Sequence, residues 1–274
     1  QSKNARIAKA MRAFGKTNVI GRKDMYPYYI IGDIDLYSIF IMLGIIAAVI
    51  VYRLCADRAN INAKLYNFTL ICALCSIVSG FVFSVLFQAI YNIKDRGAFI
   101  IDGETGATFA GGLTGGAATF LFVYFIFGKK YESKKYTRDV IDCAACAIPS
   151  AHAFGRIGCL MGGCCYGKPT DSPIGIYMVN LGYKVVPVQL FEAIFLFALA
   201  TILIILLFKG KKHIMELYML SYGVFRFIIE FFRDDERGTL LTGVFSPSQI
   251  ISICLVIGAG ALYFVSKRHK EAKA

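Results

Sequence analysis

Seven apolar stretches, each long enough to cross a bilayer as a helix, constrain this sequence more than any other feature. A transmembrane helix needs about 17–25 residues. The stretches occupy residues 34–52, 66–92, 106–128, 139–161, 186–208, 214–232 and 244–266. The 274-residue chain is 57% hydrophobic and 18% charged, with no polar segment large enough to fold alone. The sequence therefore predicts an all-α integral membrane protein with about seven transmembrane helices.

The basic residues predict how the chain is oriented. Lysine and arginine cluster after the first, third and fifth stretches and at the C-terminus. Because cytoplasmic loops are rich in these residues, we expect a cytoplasmic C-terminus and an N-terminus outside. Residues 1–30 then form a basic extension, either an amphipathic helix on anionic lipid or in part a cloning remnant, and residues 31–274 form the membrane domain. The net charge of +12 comes with no nucleic-acid motif, so no nucleic-acid partner is expected.

The fourth stretch differs from the others because it carries Asp142, Pro149, His152 and Arg156. Such residues are costly next to lipid. We expect this stretch to be broken or re-entrant, together with the glycine-rich sequence FGRIGCLMGGCCYG at its end. Arg156 keeps its charge at any physiological pH, and its best partners are planar anions, carboxylate or phosphate. An arginine at membrane depth indicates a functional site.

A second polar group lies in SYGVFRFIIEFFR. Tyr222, Arg226, Glu230 and Arg233 follow one another at intervals of four, four and three residues, which places them on one face of a helix. Arg226 lies two turns further inward than Arg233, for which we expect a solvated position near the end of the helix. Two separate segments thus bring arginine toward the outer half of the membrane, as a site for an anionic lipid headgroup requires.

Other small and polar residues allow more than one interpretation. The glycines of GATFAGGLTGGAATF, residues 106–120, favour close helix packing. Gln189 and Glu192 either bond to neighbouring arginines or cap a helix. The nine cysteines include CxxC pairs at 72/75 and 143/146, but in apolar helical sequence such cysteines are typical of buried packing. No metal and no cofactor are predicted.

The order and spacing of these motifs resemble the bacterial prolipoprotein diacylglyceryl transferases, from about Asp33 to the last stretch. The family's Gly-Arg-x-Gly-Asn signature, with its following Glu and Gly, is similar to Gly155, Arg156, Gly158, Cys159, Cys164 and Gly167. Its Tyr-Gly-x-Phe-Arg motif with a following Glu-Phe-Phe-Arg is matched by residues 222–233. Its Pro-x-Gln-Leu-Tyr-Glu motif is similar to residues 187–192, and its first-span tyrosine to Tyr37.

The resemblance implies an enzyme of the bacterial cytoplasmic membrane. Such enzymes transfer the diacylglyceryl group of phosphatidylglycerol to the cysteine thiol of a prolipoprotein lipobox and release glycerol phosphate. By this resemblance Arg156 and Arg226 hold the phosphate. Arg233 and Glu230 order that face of the site, and tyrosines orient the substrate. The tyrosines and the further residues expected at the substrate site are Tyr37, Tyr222, Gly111, Gly112, Cys159, Cys164, Gly167, Gln189 and Glu192.

The chain departs from the family's pattern at three positions. Ala110 stands where the family has the histidine of His-Gly-Gly-Leu, and Cys159 and Cys164 replace an asparagine and a glutamate. His152, four residues before Arg156, is the candidate substitute for the missing base. The two cysteines either fill space or carry a lipid covalently, since a thiolate beside Arg156 would have a lowered pKa.

Loss of the family histidine leaves two other functions open. One is a transferase that uses phosphatidylglycerol but a different acceptor, such as a glycan or a small thiol. The other is a lipid-binding relative without catalytic activity. All three functions retain the donor-binding arginines.

Overall fold

A computed structural model describes residues 29–31, 34–102, 105–178, 180–234 and 245–271, and within these residues the chain is mainly helical. The described helices are α1 (Leu36–Arg58), α2 (Ala63–Arg96), α3 (Phe109–Phe127), α4 (Ser133–Met161), α5 (Val188–Phe208), α6 (Ile214–Ile229) and α7 (Pro247–Glu271). Short 3₁₀ helices occupy Gly128–Tyr131 and Glu230–Phe232. Two antiparallel hairpins are formed by β1 (Tyr29–Ile31) with β2 (Ile34–Asp35), and by β3 (Ile176–Met178) with β4 (Tyr183–Val185).

Five of the described helices are long and apolar enough to cross a membrane: α1, α2, α3, α5 and α7. Large apolar side chains on them are exposed, such as Phe81 at 70% and Phe264 at 66%, as expected of surfaces that face lipid. The predicted helical membrane character is therefore confirmed. Helices α4 and α6 also overlap predicted stretches, but α4 is too polar and α6, with 16 residues, is too short to count among these spans.

Helix α4 runs without a break from Ser133 to Met161, so the break expected within residues 139–161 is wrong, and the alternative of a re-entrant segment stays a prediction. Pro149 lies inside the helix, where it removes one backbone hydrogen bond and its ring needs space. The ring is fully buried, and the residues one turn away on either side, Ala145 and Ala153, are small and fully buried as well. Close packing thus outweighs the loss of one hydrogen bond. The glycine-rich sequence leaves the helix only after Met161.

The chain divides into two compact units. One contains residues 1–55 and 142–274, and the other contains residues 56–141. The predicted extension of residues 1–30 lies outside the described residues, apart from residues 29 and 30, so its boundary stays a prediction.

In the unit of residues 56–141, α2 and α3 pack through their glycines. A Cβ added at Gly80 would lie 3.0 Å from Gly112 O, and one at Gly116 would lie 3.1 Å from Ser76 O. Backbone approaches backbone this closely only where side chains are absent. The packing role predicted for residues 106–120 is confirmed.

In the other unit, the start of α1 packs against the C-terminal half of α4. A Cβ added at Gly44 would lie 2.8 Å from Ala151 O, and one at Gly158 would lie 3.3 Å from Phe40 Cβ. Glycines on both helices therefore permit this approach. It holds the segment that carries Arg156 against protein rather than lipid.

A small apolar core anchors the β3–β4 hairpin beside the end of α4. Met178 and Val185 of the hairpin are fully buried and cluster with Leu160 of α4. Ile176 pairs with Val185 in the antiparallel register. The loop that follows α4 is therefore held at a fixed position.

Gly111→Ala is expected to destabilise the protein, whereas the neighbouring Gly112→Ala is expected to be tolerated. A new Cβ at residue 111 would meet Phe83 O at 2.6 Å and Phe87 Cβ at 2.7 Å. At residue 112 the nearest atom, Gly80 O, is 3.5 Å away, which is an ordinary contact. Both variants gain helix propensity equally. Overpacking alone should therefore make the free energies of unfolding of the two variants differ by about 1–3 kcal/mol. Thermal unfolding in detergent micelles measures this difference, and equal midpoints would contradict the described packing.

Candidate active site

A buried glutamate, Glu192, is the centre of the polar site. It lies near the start of α5 and is fully buried. Its Oε1 accepts a hydrogen bond from Tyr222 Oη at 2.9 Å, and its Oε2 lies 3.1 Å from Arg156 Nε. Because Tyr222 comes from α6 and Arg156 from α4, one carboxylate joins three helices. Of the two roles predicted for Glu192, contact with an arginine is confirmed as an ion pair.

His152 lies one turn before Arg156 on α4. Arg156 Nε donates a hydrogen bond to His152 Nε2 at 3.2 Å, and this ring nitrogen is 3.8 Å from Glu192 Oε1. Since Nε2 accepts, this bond assigns the ring proton of the neutral imidazole to Nδ1. The ring also packs edge-on against Tyr222, with centroids 5.3 Å apart. The site thus contains a neutral imidazole next to a carboxylate, and 23% of the His152 side chain is exposed.

Arg226 forms a second buried pair one turn beyond Tyr222 on α6. Its Nη1 donates to Glu230 Oε2 at 2.6 Å, and its Nη2 donates to Ser248 Oγ at 2.8 Å. The other carboxylate oxygen, Glu230 Oε1, accepts from Ser246 Oγ at 2.7 Å. The predicted common face is confirmed for Tyr222 and Arg226 on α6 and for Glu230 in the 3₁₀ turn, whereas Arg233 lies beyond the helix in extended backbone. Ser246 and Ser248, next to the start of α7, supply two hydroxyl groups to this face.

Ser246 and Ser248 are site residues that the sequence prediction missed. Ser246 precedes α7 and forms a capping box with Gln249. Gln249 N donates to Ser246 Oγ at 3.2 Å, and Ser246 N donates to Gln249 Oε1 at 3.0 Å. The sequence SPSQ, with proline at the first helical position, could have located this helix start. It could not have identified the partner on α6, because that contact depends on tertiary packing.

Arg233 is buried, so the solvated position predicted for it is wrong. Only 3% of its side chain is exposed, and its Nε lies 3.8 Å from Glu230 Oε2. The cause is backbone pairing with the loop after α4. Arg233 forms an antiparallel bridge with Gly167, and Lys168 N donates to Phe232 O at 2.9 Å. The prediction failed because it considered only the residues adjacent in sequence.

Gly167 lies between two backbone segments. A Cβ at this position would be 2.6 Å from Phe232 O and 2.7 Å from Val186 O. Only glycine fits there without moving one of the two segments. This packing explains the residue type, and contact between Gly167 and a substrate stays a prediction.

The predicted Cys159 and Cys164 meet at the end of α4, together with Cys165, which was not predicted as a site residue. The Sγ atoms of Cys159, Cys164 and Cys165 all lie within 4.8 Å of one another. Gln189, which is fully buried, fixes the loop by donating to Cys164 O at 2.7 Å. Hydrogen bonding with the thiols of Cys159 and Cys165 raises the pKa of the Cys164 thiol. The lowered thiol pKa expected beside Arg156 is therefore wrong for Cys164.

Tyr37 lies in the first turn of α1, next to the end of α4. Its Cδ2 would be 3.4 Å from a Cβ added at Gly158, and the residue is 39% exposed. It lies within electrostatic range of Arg156 and of the cysteine loop. Gly111 and Gly112, by contrast, belong to the unit of residues 56–141, and their contact with substrate stays a prediction.

The site presents two guanidinium groups in fixed positions. Within the described residues neither Nη atom of Arg156 has a hydrogen-bond partner, because the contacts to His152 and Glu192 are made by Nε. The bonds of Arg226 likewise leave its Nε and one hydrogen on each Nη available. Arginine N–H groups held in this way suit the oxygens of a phosphate. The arrangement can therefore bind an anion beside a neutral imidazole.

Comparison with known proteins agrees with this chemistry. Residues 28–265 match the prolipoprotein diacylglyceryl transferase family. The chain is 34% identical over 245 residues to phosphatidylglycerol–prolipoprotein diacylglyceryl transferase 2 of Clostridium perfringens, which covers 84% of this chain and 90% of the relative. The transferases of the same name from Clostridium tetani (34% over 246 residues, 86% and 94% covered) and Finegoldia magna (32% over 251 residues, 89% and 96% covered) are similar. This chain belongs to the prolipoprotein diacylglyceryl transferase family.

Proposed function

We propose that the protein transfers the diacylglyceryl group of phosphatidylglycerol to the cysteine thiol of a prolipoprotein lipobox. The thiol sulfur attacks the glyceryl carbon that carries the phosphate ester. A carbon–sulfur bond forms as the carbon–oxygen bond breaks, and glycerol phosphate leaves with the electron pair. A base takes the thiol proton. The names of the relatives support the donor, the transferred group and the prolipoprotein acceptor.

The orientation of Arg156 is the observation that carries the proposal. Its Nε is fixed by Glu192 and His152, and both of its Nη groups are available within the described residues. A phosphate that leaves gains negative charge in the transition state, and donors that are already in place stabilise this charge without reorganising. Arg156 thereby binds the donor lipid and stabilises its leaving group.

Arg226 contributes the second guanidinium group. Glu230 and Ser248 hold it in place, and it acts electrostatically on Glu192, as Arg156 does. Arg233 and Glu230 order this side of the site. Tyr222 holds the Glu192 carboxylate, and the exposed Tyr37 orients the substrate.

His152 is the proposed base. When its Nε2 takes the thiol proton, the Arg156 Nε–H bond can turn to Glu192 Oε2, which is already 3.1 Å away. The new imidazolium then faces Glu192 Oε1, which lies 3.8 Å from His152 Nε2 in the structure. A carboxylate that stabilises the protonated ring makes proton transfer easier. The new positive charge therefore lies beside a carboxylate.

The remaining predicted residues are proposed to act on the loop or on the substrate. Gln189 holds the loop of Cys159 and Cys164, which we place beside the acceptor peptide. The resemblance to the family assigns substrate contacts to Gly111, Gly112 and Gly167.

The protein is further proposed to cross the bacterial cytoplasmic membrane seven times, with its active site toward the outer leaflet. Helix α6 with its following 3₁₀ turn has 16 and 3 residues, which together measure about 30 Å, the thickness of the hydrocarbon core. The polar residues of α4 contact α5 and α6, which accounts for its low apolarity. Basic residues after α1, α3 and α5 support a cytoplasmic location for these turns.

The chain is expected to restore lipoprotein lipidation in cells depleted of their own transferase. The Arg156→Lys variant is not expected to restore lipidation, because lysine keeps the charge but loses the fixed N–H groups. In a purified assay kcat/KM should fall about 100-fold or more, as for removal of a preorganised donor. Arg58→Lys, at an exposed position near the end of α1, is the matched control and should keep full activity. Absence of lipidation by a well-expressed wild-type chain would refute the proposed acceptor.

His152→Gln is expected to lower kcat by about 100-fold or more while KM for phosphatidylglycerol changes little. Glutamine can still accept the hydrogen bond from Arg156, but it cannot take the proton. Because a free thiol titrates near pH 8.5, raising the pH above about 9 should recover much of the variant's activity. Rates across this range with an acceptor peptide provide the measurement. A variant whose loss is the same at all pH values would show that His152 has only a structural role.

Reporter fusions test the orientation. Fusions after residues 138, 210 and 274 are expected to be cytoplasmic, and fusions after residues 100 and 172 are expected to be outside. Two reporters, one active only in the cytoplasm and the other active only outside, distinguish these two locations. If positions 138 and 172 fall on the same side, α4 does not cross the membrane.

A further inference from the structure

We propose that Cys159, Cys164 and Cys165 form a binding site for a thiophilic divalent ion of the zinc type. The prediction from sequence was that the chain has no metal site. The three Sγ atoms lie within 4.8 Å of one another. A zinc–sulfur bond of about 2.3 Å requires sulfur atoms roughly 4 Å apart, so small side-chain adjustments close the site. Three thiol groups at this spacing leave a fourth position for water.

The backbone brings these thiols together. Cys159 lies in the last turn of α4, and the chain then turns back so that Cys164 N donates to Cys159 O at 3.1 Å. Gly163 has a φ of 65° and Cys165 has a φ of 60°, a region that a non-glycine residue rarely adopts. This turn directs three nearby thiols toward one point.

Side chains from other elements hold the turn. Asn180 Nδ2 donates to Gly163 O at 2.9 Å, and Gln189 Nε2 donates to Cys164 O at 2.7 Å. Gln189 is fully buried, so the loop is fixed from the protein side. Cys164 is exposed, so an ion can reach the cluster from outside. A preformed and accessible donor set is what ion binding requires.

The local charge favours a divalent ion. Binding converts three thiols to thiolates and releases three protons, so a divalent ion with three thiolates carries one negative charge. Arg156 acts electrostatically on both Cys159 and Cys165, and its positive charge favours an anionic group at this position. A monovalent ion such as Cu(I) would leave a second negative charge. Thiolate ligands select zinc-type ions over magnesium or calcium.

Occupancy has a consequence for the transferase, and this part rests on the proposed function. Arg156 would face an anionic metal–thiolate group as well as the phosphate of the donor lipid. Zinc should therefore raise KM for phosphatidylglycerol with little change in kcat.

The test uses the full-length protein in detergent, kept reduced, with Zn(II) and with Co(II) as a spectroscopic probe. We expect one zinc per chain by elemental analysis and a sulfur-to-cobalt charge-transfer band. Cys165→Ser should weaken binding more than about 100-fold, beyond what loss of a supporting residue costs. Cys75→Ser and Cys254→Ser, at exposed positions on α2 and α7, are the matched controls and should bind normally.

Three results would overturn the site: equal zinc content in wild type and Cys165→Ser, preference for Cu(I) with no zinc bound, or a disulfide within the cluster that forms despite the reductant. If Cys165→Ser does not fold, protection of the three cysteines from alkylation by zinc in the wild-type protein answers the same question. Zinc bound to a protein without transferase activity would refute the proposed function and leave the site intact. Transferase activity in a protein that binds no zinc would refute the metal site and leave the proposed function intact.

Discussion

The buried carboxylate of Glu192 is the interaction on which the arrangement of this site depends. It is fully buried on α5 and contacts groups from α4 and α6. An ionised carboxylate in such a place is tolerated only when it is paired and hydrogen-bonded. Removing one partner of a buried ion pair typically costs about 3–5 kcal/mol. The three helices must therefore pack so that the charges of Arg156 and Glu192 meet.

A second ion pair repeats this design on the next turn of α6. Arg226 and Glu230 are buried together, and hydroxyl groups at the start of α7 complete their hydrogen bonds. In both pairs part of the guanidinium group is held by the protein, and among the described residues its other N–H groups have no partner. The arginines are thus fixed by carboxylates and still able to bind an anion. A site with rigid positive groups costs less reorganisation when a phosphate binds and leaves.

Much of this could be predicted from sequence because it depends on local spacing. Each described helix overlaps a predicted apolar stretch. The bounds agree to within a few residues for α3, α5 and α6, and the differences are wider at α1 and α4 and at the ends of α2 and α7. Intervals of four residues placed His152 with Arg156, and Arg226 with Glu230, on common helix faces. Contacts between elements could not be predicted from local spacing. Neither the burial of Arg233 under Gly167 nor the hydroxyl groups of α7 follow from residues near them in the chain.

The prediction of a break in α4 was wrong for a related reason. Proline, histidine and arginine within one apolar stretch are costly if the stretch faces lipid, and the sequence alone gives no information on what surrounds it. In the structure Arg156 meets a carboxylate of α5, and Phe154 packs edge-on against Phe197 of the same helix, with centroids 5.2 Å apart. Protein contacts replace lipid on this side, so the helix can remain regular and still carry charge. The polar side chains Arg156 and His152 of α4 are therefore the ones that contact the neighbouring helices, and they are also residues from which the site is built.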